Sequence, residues 1–125
     1  MAALVDTNIL VYRFDPRFPE KQAVATEVLR RGLVEDTVRI PHQAVVEFVA
    51  ATTRTLDRRR PLLSPADARR EAEELLSQFV ILYPTERLVR TAIRGWAAYG
   101  FGWFDAHLWA YADEYGLTEL VSNEV

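Results

Sequence analysis

Ala2-Ala3-Leu4-Val5-Asp6-Thr7-Asn8-Ile9-Leu10-Val11-Tyr12 decides how this chain folds. The apolar run Ala2–Val5 is short and stops at an acid, so it reads as a buried strand. Thr7–Phe14 then turns into a short helix, which Asp15, Pro16 and Pro19 end.

The same alternation continues outward from this start. From Pro19, the residues Ala25, Val28, Leu29 and Leu33 recur at helical spacing. Val38–Ile40 is a short strand before Pro41. His42 to about Leu56 is a helix rich in Val and Phe, and Arg58–Pro61 is a polar connection. Ser64 caps a helix that begins with Pro65. Its apolar face carries Ala68, Ala72, Leu75, Leu76 and Phe79. Val80–Tyr83 is a strand. Leu88, Val89, Ala92, Ile93 and Trp96 mark the next helix, and Tyr99–Trp103 is a loop with two glycines. Asp105–Tyr115 is helical and stops at Gly116, and Leu120–Val121 is the last strand. Strands alternating with helices predict an α/β fold: a three-layer sandwich around a central, mainly parallel sheet. In such sheets ligands bind beyond the carboxyl ends of the strands.

The 125 residues suit one domain spanning 1–125, and half of them are hydrophobic, enough for a real core. There is no cysteine, which excludes disulfides, zinc–thiolate sites and thiol nucleophiles. The opening residues lack a basic leader, and no apolar stretch approaches the ~20 residues of a membrane span. A soluble, cytoplasmic protein is expected. The net charge of −3 argues against a generic polyanion binder. Of the 15 basic residues only Lys21 is lysine. Arginine suits bidentate phosphate contacts, and it is also simply common in GC-rich genomes.

Three carboxylates stand where burial is costly. Asp6 ends the first strand, Glu47 interrupts Ala44-Val45-Val46 and Phe48-Val49-Ala50, and Asp105 follows Gly102-Trp103-Phe104. An ionised carboxylate in apolar surroundings costs several kcal/mol unless it is paired or bound to metal. Each has a structural alternative: Asp6 and Asp105 as helix caps, Glu47 on a solvated stripe. Taken together, the topology is expected to gather them in one cleft. Acids so gathered repel one another, and a divalent cation removes the repulsion. Mg2+ or Mn2+ prefers oxygen ligands and can activate water against a phosphodiester.

Leu4-Val5-Asp6-Thr7-Asn8-Ile9-Leu10-Val11-Tyr12 resembles the opening motif of PIN domains. Val46-Glu47-Phe48 resembles that family's central acid, and Trp103-Phe104-Asp105-Ala106-His107-Leu108-Trp109-Ala110 its third acid motif. Leu120-Val121-Ser122-Asn123-Glu124 resembles the strand ending that carries the fourth. The resemblance, closest to VapC-type toxins, implies a metal-dependent (Mg2+ or Mn2+) endoribonuclease acting on RNA. It implies Asp6, Glu47 and Asp105 as metal ligands, with Thr7 or Asn8 either positioning the site or only stabilising the turn. It also implies a homodimer and a cognate antitoxin that occludes the acidic cleft; clustered carboxylates attract a cation, which an arginine side chain can supply without metal. Val11, Phe14 and Phe18 would form the adjoining groove or pack in the core. The family commonly places Asp or Asn where Glu124 stands. Glu124 therefore replaces the usual catalytic acid, or the fourth ligand is missing.

Other residues carry two readings. Asp113 supports the ligands or is solvated. His107 contacts RNA phosphate or packs on its helix. Arg54, Arg58, Arg59 and Arg60 form an RNA-binding edge or a solvated face. Trp96, Trp103 and Trp109 are expected in the core, with Trp103 near the mouth of the site. Two other functions compete with the ribonuclease: a catalytically weak PIN-fold module binding RNA or protein, and an aspartate-dependent phosphatase. The phosphatase chemistry usually wants an Asp at position 8, where Asn8 stands.

Overall fold

A computed structural model describes residues 2–55 and 60–121. In chain order the elements are β1 (Ala3–Val5), α1 (Thr7–Tyr12), α2 (Pro19–Glu35), β2 (Val38–Pro41), α3 (His42–Thr53), α4 (Pro65–Gln78), β3 (Val80–Leu82), α5 (Glu86–Tyr99), α6 (Trp103–Tyr115) and β4 (Leu120–Val121). The four strands form one sheet in the order β3-β2-β1-β4, and every pairing is parallel. The register pairs Leu4 with Arg39 on one side and with Leu120 on the other.

Strand periodicity explains the layers. Successive side chains point to opposite faces, and Val5 and Leu4 enter different apolar clusters. Val5 packs with Ile9, Leu29, Ile40, Phe48 and Leu75, drawn from β2 and α1–α4. Leu4 packs with Leu82, Leu88, Leu108 and Tyr111, drawn from β3, α5 and α6. Helices therefore cover both faces, and the predicted three-layer α/β architecture is observed. All three β1 residues are buried, as an inner strand of a covered parallel sheet requires. The outer strands are less covered: Val80 of β3 and Leu120 of β4 are exposed.

Local chemistry sets most helix ends. The Ser64 hydroxyl accepts the Asp67 amide at 3.1 Å and Pro65 occupies the first turn, so the predicted cap of α4 is present. Thr85 caps α5 in the same way through the Leu88 amide. Gly116 ends α6 in the left-handed conformation at φ 67°, where lack of a Cβ removes the usual steric cost. α3 stops at Thr53, short of the expected Leu56, and Leu56 itself lies outside the described residues. The Thr52 and Thr53 hydroxyls donate back to Phe48 O and Val49 O, and the Leu63 amide takes Thr52 O. Hydroxyls that bond back to the preceding turn weaken a helix at that point.

The tryptophans depart from expectation. Trp96, Trp103 and Trp109 are half-exposed rather than core. Trp96 and Trp103 meet edge to face at 5.1 Å on the outer surface of α5 and α6. No helix among the described residues is long and apolar enough to cross a membrane.

Candidate functional site

Asp6 follows the last residue of β1 and holds the N-cap position of α1 in an extended conformation. Its carboxylate makes no capping hydrogen bond to α1, so the capping alternative does not describe it. The Asp6 amide donates to Val121 O at 3.0 Å. That bond ties Asp6 to the end of β4. Glu124 lies outside the described residues, as do Arg58 and Arg59.

Glu47 lies on α3, which packs against α1. The Thr7 hydroxyl donates to Glu47 Oε2 at 2.9 Å across 40 positions of sequence. Thr7 is buried, and Glu47 Oε1 is buried with no hydrogen-bond partner among the described residues. Glu47 is thus not on a solvated stripe. It is held against the residue that follows Asp6, with one oxygen satisfied and the other open. Leaving a buried polar atom unsatisfied costs about 1–3 kcal/mol. Unsatisfied groups of this kind gather at sites that receive a ligand or an ion.

Asp105 sits in the first turn of α6, three residues after its cap Gly102. It is therefore a first-turn acid rather than the cap, because Trp103 and Phe104 are already helical. Its Oδ2 lies 3.6 Å from where a Cβ on Gly102 would stand, so the carboxylate leans back over the helix start. Anionic charge there is favoured by the helix dipole. Asp105 is exposed and lines a cavity of about 280 Å³ with Leu4, Leu108, Glu119 and Leu120. Among the described residues, no three His, Cys, Asp or Glu side chains group closely enough to hold a metal ion. The structure thus joins Glu47 to the Asp6–Thr7 corner and places Asp105 on α6, on the sheet face opposite α3.

His107 donates from Nδ1 to Trp103 O at 2.8 Å and packs its ring 4.6 Å from that of Trp103. This is the helix-packing role. Asp113 is exposed on α6. Val11 and Phe14 pack on the core, whereas Phe18 is exposed and stands edge-on to Tyr12 at 5.7 Å.

Sequence reasoning used Asp15 only as a helix terminator. It is instead a buried acid, 2% exposed, gripped by Arg17 through Nε at 2.9 Å and NH2 at 2.7 Å. The Asp-Pro-Arg spacing was the available signal, since a turn of this length brings i and i+2 side chains together.

A glutamate held through Oε2 by the residue beside a strand-end acid, with Oε1 buried and open, in a covered parallel sheet, defines an α/β protein with acidic groups at the carboxyl end of its inner strand. The model of the PIN domain matches residues 3–124, and the chain belongs to the PIN-domain family. No curated protein matches it significantly. Two solved structures share the fold. A toxin–antitoxin complex from Klebsiella pneumoniae superposes with a TM-score of 0.65 at 21% identity, covering 97% of this chain and 85% of the other. A DNA-bound VapBC from Salmonella typhimurium gives a TM-score of 0.65 at 17% identity, covering 95% and 85%.

Proposed function

We propose that this protein is a metal-dependent endoribonuclease and the toxin of a type II toxin–antitoxin pair. The observation that carries the reading is the buried, unmatched Glu47 Oε1, fixed by Thr7 beside Asp6. Family membership and the toxin–antitoxin neighbours support it. An all-oxygen donor set fits Mg2+ or Mn2+. Asp6, Glu47 and Asp105 are the proposed ligands, with Glu124 as a further catalytic acid. When bound, the cation supplies an activated nucleophile and neutralises charge developing on the phosphodiester. Thr7 presets the Glu47 rotamer, so that the open oxygen needs little reorganisation to take a ligand. RNA is the proposed substrate and an antitoxin the proposed inhibitor, entering the acidic pocket with an arginine. A homodimer belongs to the same reading. Exposed Ile93, Trp96, Trp103 and Phe104 on α5 and α6 support it, because apolar patches of that kind mark protein contacts.

The test is cleavage of RNA by the purified protein with Mg2+ or Mn2+, and again in EDTA. Cleavage lost in EDTA and in Asp6→Asn and Asp105→Asn, with the fold retained, supports the reading. Activity kept in either variant, while EDTA still inhibits, moves the site elsewhere. Absence of a three-acid cluster among the described residues favours one alternative, the catalytically weak binding module. A wild-type protein that binds RNA or a partner but cuts nothing with either metal selects that alternative.

A further inference from the structure

A second cavity, of about 470 Å³, opens between α1, α3 and residues 60–62. Arg17, Arg54 and Arg60 line it together with Val11 and Ala51, and among the described residues no acid does. Its position follows from helix geometry. Val11 lies four residues beyond Thr7 on α1, and Ala51 four beyond Glu47 on α3. Residues at that spacing share a face, so the cavity begins one turn along from the Thr7–Glu47 bond. Arg54 is seven residues beyond Glu47, or about 10 Å along the helix axis. That is roughly three phosphates of a stacked strand at ~3.4 Å each.

The arginines differ in their commitments. Arg17 is clamped by buried Asp15 and forms a fixed wall. Neither Arg54 nor Arg60 forms an ion pair among the described residues, and both are exposed. Most other arginines on the surface are spent on local acids: Arg30 and Arg31 on Glu27, Arg70 on Asp67, Arg90 on Glu86. In a chain of net charge −3, a cavity lined by open guanidinium groups and, among the described residues, by no carboxylate is a local exception.

We propose that this cavity is a phosphate subsite, in which Arg54 and Arg60 hold the backbone of single-stranded RNA that extends from the Glu47 corner. The inference rests on the ribonuclease reading for the identity of the polyanion, and its test is binding rather than cleavage. Arg54 also stands at the C-terminal end of α3, where a cation favours the helix dipole. A purely structural role must therefore be separated from a binding one.

The experiment measures binding of a short, labelled single-stranded RNA by the full chain in EDTA, across a salt series. Each phosphate contact to a single strand contributes about 0.7 to the slope of log K against log salt. Arg54→Ala with Arg60→Ala is expected to lower the slope by about 1.4 and to weaken binding about tenfold or more at low salt. Arg54→Lys with Arg60→Lys keeps the charge and is expected to keep the slope. Arg54→Gln with Arg60→Gln strips the charge but keeps a long polar stem, and its slope decides the matter should the alanine pair unfold: a fall supports the subsite and an unchanged slope overturns it. An unchanged slope in a folded alanine variant overturns the subsite while leaving the nuclease reading intact. A lost slope in a protein that cuts no RNA leaves the subsite standing and sinks the nuclease reading. If RNA binding is unaltered but a co-expressed partner protein is released, the cavity belongs to that protein, and the RNA assignment is wrong.

Discussion

At the scale of single residues, the site turns on one hydrogen bond. Thr7 supplies the only donor found for the Glu47 carboxylate among the described residues. Thr7→Val preserves shape and strips that donor, leaving both oxygens of a partly buried carboxylate unsatisfied. In EDTA the variant is expected to lose about 1–3 kcal/mol of unfolding free energy, read from urea denaturation. Thr7→Ser keeps the hydroxyl and is expected to lose less. Equal losses in the two variants would assign the effect to packing of the methyl group. The complementary measurement is thermal. Mn2+ is expected to raise the melting temperature of the wild type by mass action and to have little effect on Glu47→Leu, which offers no ligand. Equal shifts in both proteins would place the cation elsewhere. Asp6 was legible in the sequence because a carboxylate closing an apolar run marks a strand end. The Thr7–Glu47 bond was not, because it depends on how α1 lies against α3. The helix that carries Asp105 was legible but its start was not: two glycines made 99–103 read as loop, whereas Trp103 already begins α6.

At the scale of elements, the sequence pattern located each helix and strand among the described residues but overestimated which faces are covered. Leu33, Leu76, Ile93 and Trp96 recur at helical spacing with core residues, yet each is exposed. A four-stranded sheet covers a narrow stripe of each helix, and residues flanking that stripe remain in solvent. The close approaches that fix element positions were also silent in sequence. Gly95 of α5 lies under the Trp109 ring of α6, and a Cβ there would come within 2.6 Å of it. Gly95→Ala gains helix propensity of about 1 kcal/mol and incurs overpacking of about 1–3 kcal/mol. Trp109 is only partly buried and can yield, so a net loss near the lower end is expected. Gly32 of α2 meets a stiffer neighbour. A Cβ there would overlap the β-branched side chain of buried Val38 on β2. Gly32→Ala is therefore expected to cost more than Gly95→Ala, with part recovered in Gly32→Ala/Val38→Ala. Calorimetric melting of the wild type, Gly95→Ala, Gly32→Ala, Val38→Ala and the double variant checks this order, and additive effects in the double variant would count against a direct clash.

At the scale of the whole molecule, Tyr111 ties the far helical layer to the start of α3. It is 1% exposed within the cluster of Leu4, Leu82 and Leu108, and the Gln43 backbone amide lies near enough to its oxygen to favour the phenolate. Neighbouring Tyr115 stacks on it at 6.5 Å and donates its hydroxyl to Tyr83 O at 2.7 Å. Burial pushes the Tyr111 phenol above its ordinary value of 10.0, against a smaller lowering by the Gln43 amide. The sign for stability follows. A folded-state value above the unfolded one means that the fold keeps a proton the unfolded chain releases. The contribution is fully present below about pH 10 and is lost as pH rises through the folded value. Tyr111→Phe removes both the titration and the hydroxyl that faces the Gln43 amide. At neutral pH it is expected to be less stable than the wild type by about 1 kcal/mol, the scale of one polar contact of that kind. Above pH ~10 the wild type declines and the variant does not share that part of the decline, so the two curves converge. Urea midpoints at neutral pH and near pH 11 provide the measurement. A gap that stays constant between them would mean that Tyr111 ionises as readily in the fold as out of it, and that its burial does not link the layers to pH.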